Sequence, residues 1–494
     1  MHQNSATEAR PTSGAASADN SQSKNTSALG DRRMLLHVRT GALLFLLLSS
    51  FAADSETRPN IIFILVDDLR WDALGCMGHP FAKTPNIDRI AKEGALFRNF
   101  FVSIPLCSPS RASFLTGQYP HTHRVIDNTD HSALSHKLIT YPRLLHDAGY
   151  ETAFIGKWHM GLDDSPRPGF DHWISFKGQG VYNDPILNID GKASKHSGYI
   201  TDILNGYAVK FVNGDHTKPF LLYLPHKAVH GPFTPAERHK NLYSDAVIKP
   251  VPSLTDSLAG KPAVTRELQG LDEKSTKKGK AKKEPSANAR RMPENAIKNQ
   301  LRALAAVDEG VGQLLKALEE TKQLDNTIII FSSDNGYFWG EHGLGDKRWA
   351  YDESIRDPLL MRFPHLIKPG TVFDQFVLNI DIAPTLLELA GVPVPESNEG
   401  HSFVPLLKDR KSPWRHSFLT EYFQEKQYPR TPTWQAVRTE QWKYITYTDL
   451  KEMDELYDLK ADPYEMKNLI GDPRSESALK QMQTELQKLL QDPR

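Results

Sequence analysis

The chain has 494 residues, 60 basic (Lys and Arg) and 60 acidic (Asp and Glu) side chains, and a formal net charge of zero, which argues against a general nucleic-acid binder. It has two cysteines, Cys76 and Cys107. A disulfide framework is therefore excluded as the basis of the fold, and stability must come from a buried core and from bound metal.

Residues 1–53 read as a polar, Ser- and Ala-rich start followed by a leader. Arg32-Arg33-Met34 precedes the apolar run Gly41 to Leu48, and small residues close it at Ser49-Ser50-Phe51-Ala52-Ala53. A basic start, a short apolar stretch and a small-residue end form a secretory signal peptide, too short to span a bilayer comfortably. Translation starts at Met1 or at Met34, the second giving a leader of ordinary length; the twin arginine and an uncleaved signal anchor are alternative readings. The mature protein is expected in the periplasm or outside the cell, with no stable membrane span.

Beyond the leader, four runs read as buried strands: Ile61 to Val66, Glu151 to Gly156, Phe220 to Leu224 and Thr327 to Ser332. Such continuous apolar, β-branched runs suit a sheet covered on both faces. Helical patterns at Asn86 to Glu93, Tyr141 to Ala148 and Ala296 to Leu318 lie between them. This alternation predicts an α/β domain over 54–395 with a mostly parallel sheet. The stretch Ser253 to Asn295 interrupts it. Its lysine tract, Lys274 to Lys283, reads as a solvated insertion or as an arm holding a polyanion. From 396 to 494 the pattern changes to half-exposed antiparallel strands at Thr433 to Thr439, Trp442 to Ile445 and Glu455 to Leu459, closed by a helix from Ser477 to Leu490. That is a smaller α+β subdomain.

Ligands of an open α/β sheet sit beyond the carboxyl ends of its strands. The first strand runs into Asp67-Asp68 and the last into Asp334-Asn335-Gly336. Three carboxylates and an amide at that rim call for a cation, and hard oxygen donors without partnering cysteines suit Ca²⁺ or Mg²⁺. Between them lies Cys107-Ser108-Pro109-Ser110-Arg111, with Thr116-Gly117 nearby. Ser108 is expected to cap a helix, with Pro109 at its first position and Gly117 past its end. Cys107 then stands at an anion-favouring helix N-terminus, where a bare thiol would be acidified.

The run Cys-x-Pro-x-Arg followed by Thr-Gly resembles the signature of the type I sulfatases. Gly156-Lys157-Trp158-His159 is similar to that family's Lys-x-His element. His226 and His230, in the run ending His230-Gly231-Pro232, resemble its His-x-Pro element, with His230 the better match. Lys347, in Gly345-Asp346-Lys347-Arg348, resembles its late lysine. The resemblance implies an alkaline-phosphatase-like fold: a large, mixed, mostly parallel sheet sandwiched by helices, with a small carboxy-terminal subdomain. It also implies a formylglycine made from Cys107 by a maturation enzyme, and Ca²⁺ in preference to Mg²⁺, held by Asp67, Asp68, Asp334, Asn335 and residue 107. The hydrated aldehyde would attack sulfur while Arg111, Lys157 and Lys347 surround the sulfate. His230, or the lysine beside it, would protonate the leaving alcohol, and His159 would free the product sulfate.

Within the family the chain most resembles carbohydrate sulfatases such as N-acetylglucosamine-6-sulfatases, so the expected partner is a sulfated saccharide. His226 and His342 are the expected substrate-binding residues, and His121, His123, Trp339 and the segment Trp434 to Trp442 are candidates for the sugar site. Two alternatives stand beside this reading: a phosphate or phosphonate ester hydrolase on the same scaffold, and a sulfated-glycan-binding protein in which Cys107 remains a thiol.

Overall fold

The structure is a computed structural model, and it describes residues 58–266 and 291–492. The leader, both candidate start positions and the lysine tract lie outside the described residues.

The strands are β1 (Asn60–Val66), β2 (Ala95–Phe101), β3 (Glu151–Gly156), β4 (His172–Ser175), β5 (Ile186–Ile189), β6 (Lys192–Lys195), β7 (Phe220–Pro225), β8 (Thr327–Ser333), β9 (Arg356–Arg362), β10 (Thr371–Phe373) and β11 (Val377–Leu378). Together they form one sheet, ordered β10-β2-β9-β8-β1-β7-β3-β4-β5-β6, with β11 also on β2. The centre, from β8 through β1, β7 and β3 to β4, is parallel. The flanks are mixed, because β9 runs antiparallel to β8 and β2 and the β4-β5-β6 ribbon is antiparallel.

Strand β1 shows why a continuous apolar run was needed. Ile62, Ile64 and Val66 enter one core with helices α1 (Pro85–Glu93), α4 (Ile200–Val212) and α5 (Glu294–Glu320). Ile61, Phe63 and Leu65 enter another with α2 (Cys107–Thr116), α3 (Tyr141–Asp147) and α6 (Ile382–Leu389). Alternate side chains of a strand point to opposite faces, so a strand covered on both sides is apolar throughout. Each buried Ile or Phe is worth about 1.5–3 kcal/mol, which fixes the register that sets where the strand ends fall.

The carboxy-terminal strands β12 (Ser417–Tyr422), β13 (Trp434–Thr439), β14 (Trp442–Tyr447) and β15 (Glu455–Asp458) make an antiparallel sheet in sequential order. Helix α7 (Glu476–Gln491) covers it with Met482, Leu486 and Leu489. The described start of the insertion is folded. Leu258, Ala263 and Val264 are buried in the same core as Tyr351 and Tyr457, and Lys261 is fully enclosed. Apolar side chains at this spacing anchor the first part of the segment.

Candidate active site

Four neighbouring parallel strands deliver the site. Val66 of β1 aligns with Ser333 of β8, so Asp67-Asp68 and Asp334-Asn335 leave the sheet side by side. On the other side, β7 ends at Pro225 and leads to Lys227 and His230, while β3 ends at Gly156 and leads to Lys157 and His159. Asp67, Asp68 and Asp334 are buried, with one oxygen of each within 4.8 Å of the others. Asp68 turns into the left-handed region (φ 60°) as the chain leaves the strand.

Helix α2 brings Cys107 to this cluster. All ten of its residues are buried, and it ends at Gly117 in the left-handed region (φ 68°). The cap differs from expectation. Leu106 occupies the N-cap without a side-chain bond and Cys107 is the first helical residue. The Ser108 hydroxyl instead donates to the His159 carbonyl at 2.5 Å, and Asn128 Oδ1 accepts from the Ser108 N–H at 3.0 Å. Ser108 thus ties the helix to the β3 loop. Cys107 Sγ lies 3.6 Å from Asp67 Oδ1, 4.0 Å from Asp68 Oδ1 and 3.0 Å from Lys347 Nζ. Nor is the thiol acidified: burial pushes it up, outweighing the pull of Lys347 and Lys157. Enclosure dominates over the helix terminus here, which disfavours an ordinary thiolate nucleophile.

The donor set fits a hard divalent cation. Burial and repulsion from Asp67 push Asp334 up to about 7 despite Arg111. Burial also opposes the charge on Asp67, but Lys157, His230, Arg111 and Lys347 hold it well below the usual carboxylate range. Asn335 Nδ2 donates to Asp68 Oδ1 at 2.7 Å and to the Gly336 carbonyl at 2.9 Å, while its Oδ1 is buried and meets no donor among the described residues. A buried carbonyl oxygen without a donor, on a side chain that touches one of three carboxylates that repel one another, is what a Ca²⁺ or Mg²⁺ site presents.

Three cations ring the carboxylates. Lys157 Nζ donates to Asp67 and to Gln179 Oε1, and Lys347 Nζ donates to Asp68. Burial works against the charge on Lys347, yet Asp68 and Cys107 raise it well above the ordinary lysine value. Arg111 is brought to the same cluster: its Nε donates to Asp334 at 2.9 Å and its Nη1 to the Lys157 carbonyl at 2.7 Å, at 1% exposure. It ties Asp334 to the Lys157 backbone, while its Nη2 lies 2.8 Å from Asp334 Oδ2 and 3.8 Å from Asp67 Oδ2.

Among the histidines, His230 Nε2 is 3.6 Å from Asp68 Oδ2, and His159 Nδ1 is 3.4 Å from the Ser108 hydroxyl. Burial lowers both, and Lys157 lowers His159 further, which suits it to accept a proton. His226 is enclosed rather than open to a ligand; burial takes it down to about 3 and its Nδ1 meets no partner among the described residues. His342 is not brought to the site. Its ring is fully buried, stacked 4.3 Å from Tyr351, with Nδ1 2.7 Å from Asp256 and 2.9 Å from Lys261 Nζ, because the folded start of the insertion covers it. His123 bonds Ser113 behind helix α2, His121 pairs with Glu421, Trp339 bonds Gln300, and Trp434 is buried with its indole N–H on the Arg348 carbonyl.

Sequence reasoning missed two features, and the lysine it offered beside His230 is Lys227. Gln179 reaches Lys157 from the β4–β5 connection. Burial, with Lys157 adding to it, brings Lys227 down to about 8, where its ammonium sits 4.8 Å from the Tyr182 ring centre. A cavity of 350 Å³ is lined by Asp346, Lys347, Arg348, Trp349, Tyr428 and Thr431, with the Arg348 guanidinium 3.5 Å from the Tyr428 ring centre. Lys347 is part of the cavity wall, while its ammonium is enclosed against Asp68 and Cys107. The motif Asp-Lys-Arg carried that signal, but the facing Tyr428 is eighty residues on.

Residues 59–392 match the family described as Sulfatase, and residues 340–492 match the one described as N-sulphoglucosamine sulphohydrolase, C-terminal. N-acetylglucosamine-6-O-sulfatase of Bacteroides thetaiotaomicron is 37% identical over 493 aligned residues, covering 89% of this chain and 87% of that protein. N-acetylglucosamine-6-sulfatase of Homo sapiens is 31% identical over 471, covering 84% and 82%. A solved structure of a protein in complex with its substrate D-glucosamine-2-N,6-O-disulfate superposes with a TM-score of 0.78 at 34% identity, covering 88% of this chain and 98% of that one.

Proposed function

The chain belongs to the sulfatase family, and within it we propose that this enzyme hydrolyses a carbohydrate sulfate ester, with a 6-O-sulfated N-acetylglucosamine or a related sulfated amino sugar as substrate. The observation that carries this reading is the cavity beside Lys347. It places a carboxylate (Asp346, about a third exposed) and an aromatic side chain (Tyr428, 38% exposed) beside the Arg348 guanidinium, which lies on the Tyr428 ring and is held by Asp346 and by Glu425 at 2.5 Å. That mixture suits pyranose hydroxyls and a pyranose face better than a simple alkyl or aryl ester. Relatives of the same name at 31–37% identity support it.

Cys107 is proposed to be matured to formylglycine by a dedicated enzyme. Asp67, Asp68, Asp334, Asn335 and residue 107 would hold Ca²⁺, which supplies positive charge and lowers the pKa of a bound hydroxyl. Hydrated formylglycine supplies two hydroxyls, one to attack sulfur and one to expel it later. Lys157 and Lys347 present ammonium groups to the sulfate oxygens, where charge redistributes. Lys227 and His230 stand on the leaving-group side to protonate the departing alcohol. His159, kept neutral by burial, takes a proton during product release. Arg111 fixes Asp334 and the backbone of Lys157. Export to the periplasm or cell exterior is part of the same proposal, and cell fractionation tests it.

The function is tested by screening the co-matured enzyme against mono- and disaccharides sulfated at single positions, alongside phosphate mono- and diesters and a phosphonate. Preference for the 6-O-sulfated amino sugar by at least about tenfold in kcat/KM is expected, the scale of one good specificity contact. A preference for a phosphodiester or phosphonate, or for a sulfate at another ring position, overturns it.

A further inference from the structure

We infer that Gln179 is a positioning residue for sulfate recognition, holding the Lys157 ammonium by a neutral acceptor so that its charge stays available to the substrate. The inference rests on the reading above that Lys157 meets the sulfate.

The connection between β4 and β5 is built to present this one side chain. Gly178 and Gly180 on either side both adopt left-handed backbone (φ 54° and 63°). A Cβ at Gly180 would lie 2.5 Å from the Phe176 ring, so the tight bend needs glycine there. The loop starts in fixed register with Lys157, because Gly156 pairs with Ser175 and the Ser175 hydroxyl donates to the Gly156 carbonyl at 2.9 Å. Its far side is pinned as well: the buried Tyr182 hydroxyl donates to the His230 carbonyl at 2.7 Å, and Lys227 lies over its ring. One short loop therefore spans the ends of β3 and β7, the two strands that deliver Lys157, Lys227 and His230.

At its apex, Gln179 Oε1 accepts from Lys157 Nζ at 2.5 Å. A lysine ammonium has three N–H bonds. Asp67 takes one, Gln179 takes another, and the third remains for a sulfate oxygen. An amide carbonyl orients the ammonium without cancelling its charge. A carboxylate in the same place would add a second anion beside a lysine already facing Asp67, and would repel an anionic ester. The choice of glutamine over glutamate is therefore part of anion recognition, and Gln179 acts through Lys157 rather than on the reacting atoms.

Three variants of the full-length, matured enzyme test this: Gln179→Leu, Gln179→Glu and, as control, Lys157→Ala. The readouts are KM and kcat on the sulfated sugar that the enzyme turns over, inhibition by inorganic sulfate, and thermal melting. Losing one hydrogen bond to a charged group predicts that Gln179→Leu raises KM and the sulfate inhibition constant about tenfold, with kcat changed less than about threefold. Gln179→Glu keeps shape and acceptor, so a merely structural loop role would leave it like the unmodified enzyme; the inference predicts a larger rise in both constants than for leucine. Wild-type constants in Gln179→Glu, or a loss confined to kcat in both variants, overturn the inference. If Lys157→Ala leaves both constants unchanged, the functional reading of Lys157 itself is wrong. If Lys157→Ala is impaired while both Gln179 variants are normal, the error lies with Gln179 alone.

Discussion

Replacing Arg111 by alanine tests whether the site is held together as described. The guanidinium is 1% exposed and gives hydrogen bonds to Asp334 and to the Lys157 carbonyl. Alanine leaves the buried Asp334 carboxylate without its cation, with the Asp68 N–H at 3.1 Å as its remaining donor among the described residues, and the Lys157 carbonyl without its guanidinium donor. Breaking a buried ion pair from one side costs about 3–5 kcal/mol, against a total stability of roughly 5–15 kcal/mol. For a chain of this length each kcal/mol is worth roughly 1 °C of melting temperature, so a fall of about 3–5 °C is expected. Asp334, already raised to about 7 by burial and Asp67, loses a cation that opposes that rise, so protons compete better with metal and calcium binds more weakly. Arg111→Lys keeps the charge but not the planar fork and should fall between the two. Melting curves across a calcium series, from chelator upward, read both effects. An Arg111→Ala protein that melts within about 1 °C of the unmodified enzyme, and is stabilised by calcium to the same degree, refutes the reasoning.

Further outcomes follow from the same geometry. With Lys227 down at about 8, its proton is lost as pH rises through that value; kcat/KM should fall on that limb, and Lys227→Ala should cost about 10²-fold and abolish the limb. A pH profile from 6 to 10 checks this, and an unchanged limb in the variant contradicts it. His342 is buried neutral, at about 4 in the fold against roughly 6.5 when unfolded. The unfolded chain therefore binds a proton that the folded one does not between those values. Stability falls as pH drops from 6.5 towards 4, by about 3 kcal/mol in full, and urea midpoints should show His342→Gln removing that slope. Arg348→Ala should lower kcat/KM for the sulfated sugar about 10- to 100-fold, with a smaller loss on a small aryl sulfate; equal losses on both would argue that the cavity does not bind the sugar.

The central sheet was readable because its strands are buried on both faces, and a run such as Ile61 to Val66 admits few other readings. The clustering of Asp67, Asp68 and Asp334 was readable for a related reason: carboxylates placed directly after such strands emerge at the same rim. Strand β9 was not recognised, since Pro358 stands in its middle. The structure accommodates the proline where β2 bulges between Phe97 and Phe100, opposite no regular pair. His342 misled because a histidine in a polar loop reads as exposed until Leu258 and Val264 are known to pack there. Gln179 gave no signal of its own; only its flanking glycines marked a backbone bend, and nothing in the sequence says what that bend faces. Arg111 was drawn to the site by its spacing from Cys107, but its bonds to Asp334 and to the Lys157 carbonyl depend on strand ends far apart in sequence.

The most direct measurement is sulfate release from N-acetylglucosamine-6-sulfate by the protein co-expressed with a formylglycine-generating enzyme, compared with Cys107→Ala prepared identically, with residue 107 of each read by mass spectrometry. The account predicts an aldehyde at position 107, multiple turnovers by that protein, and none by the alanine variant. Equal release by both proteins, or an aldehyde-bearing enzyme inert towards every sulfated sugar offered, would contradict it.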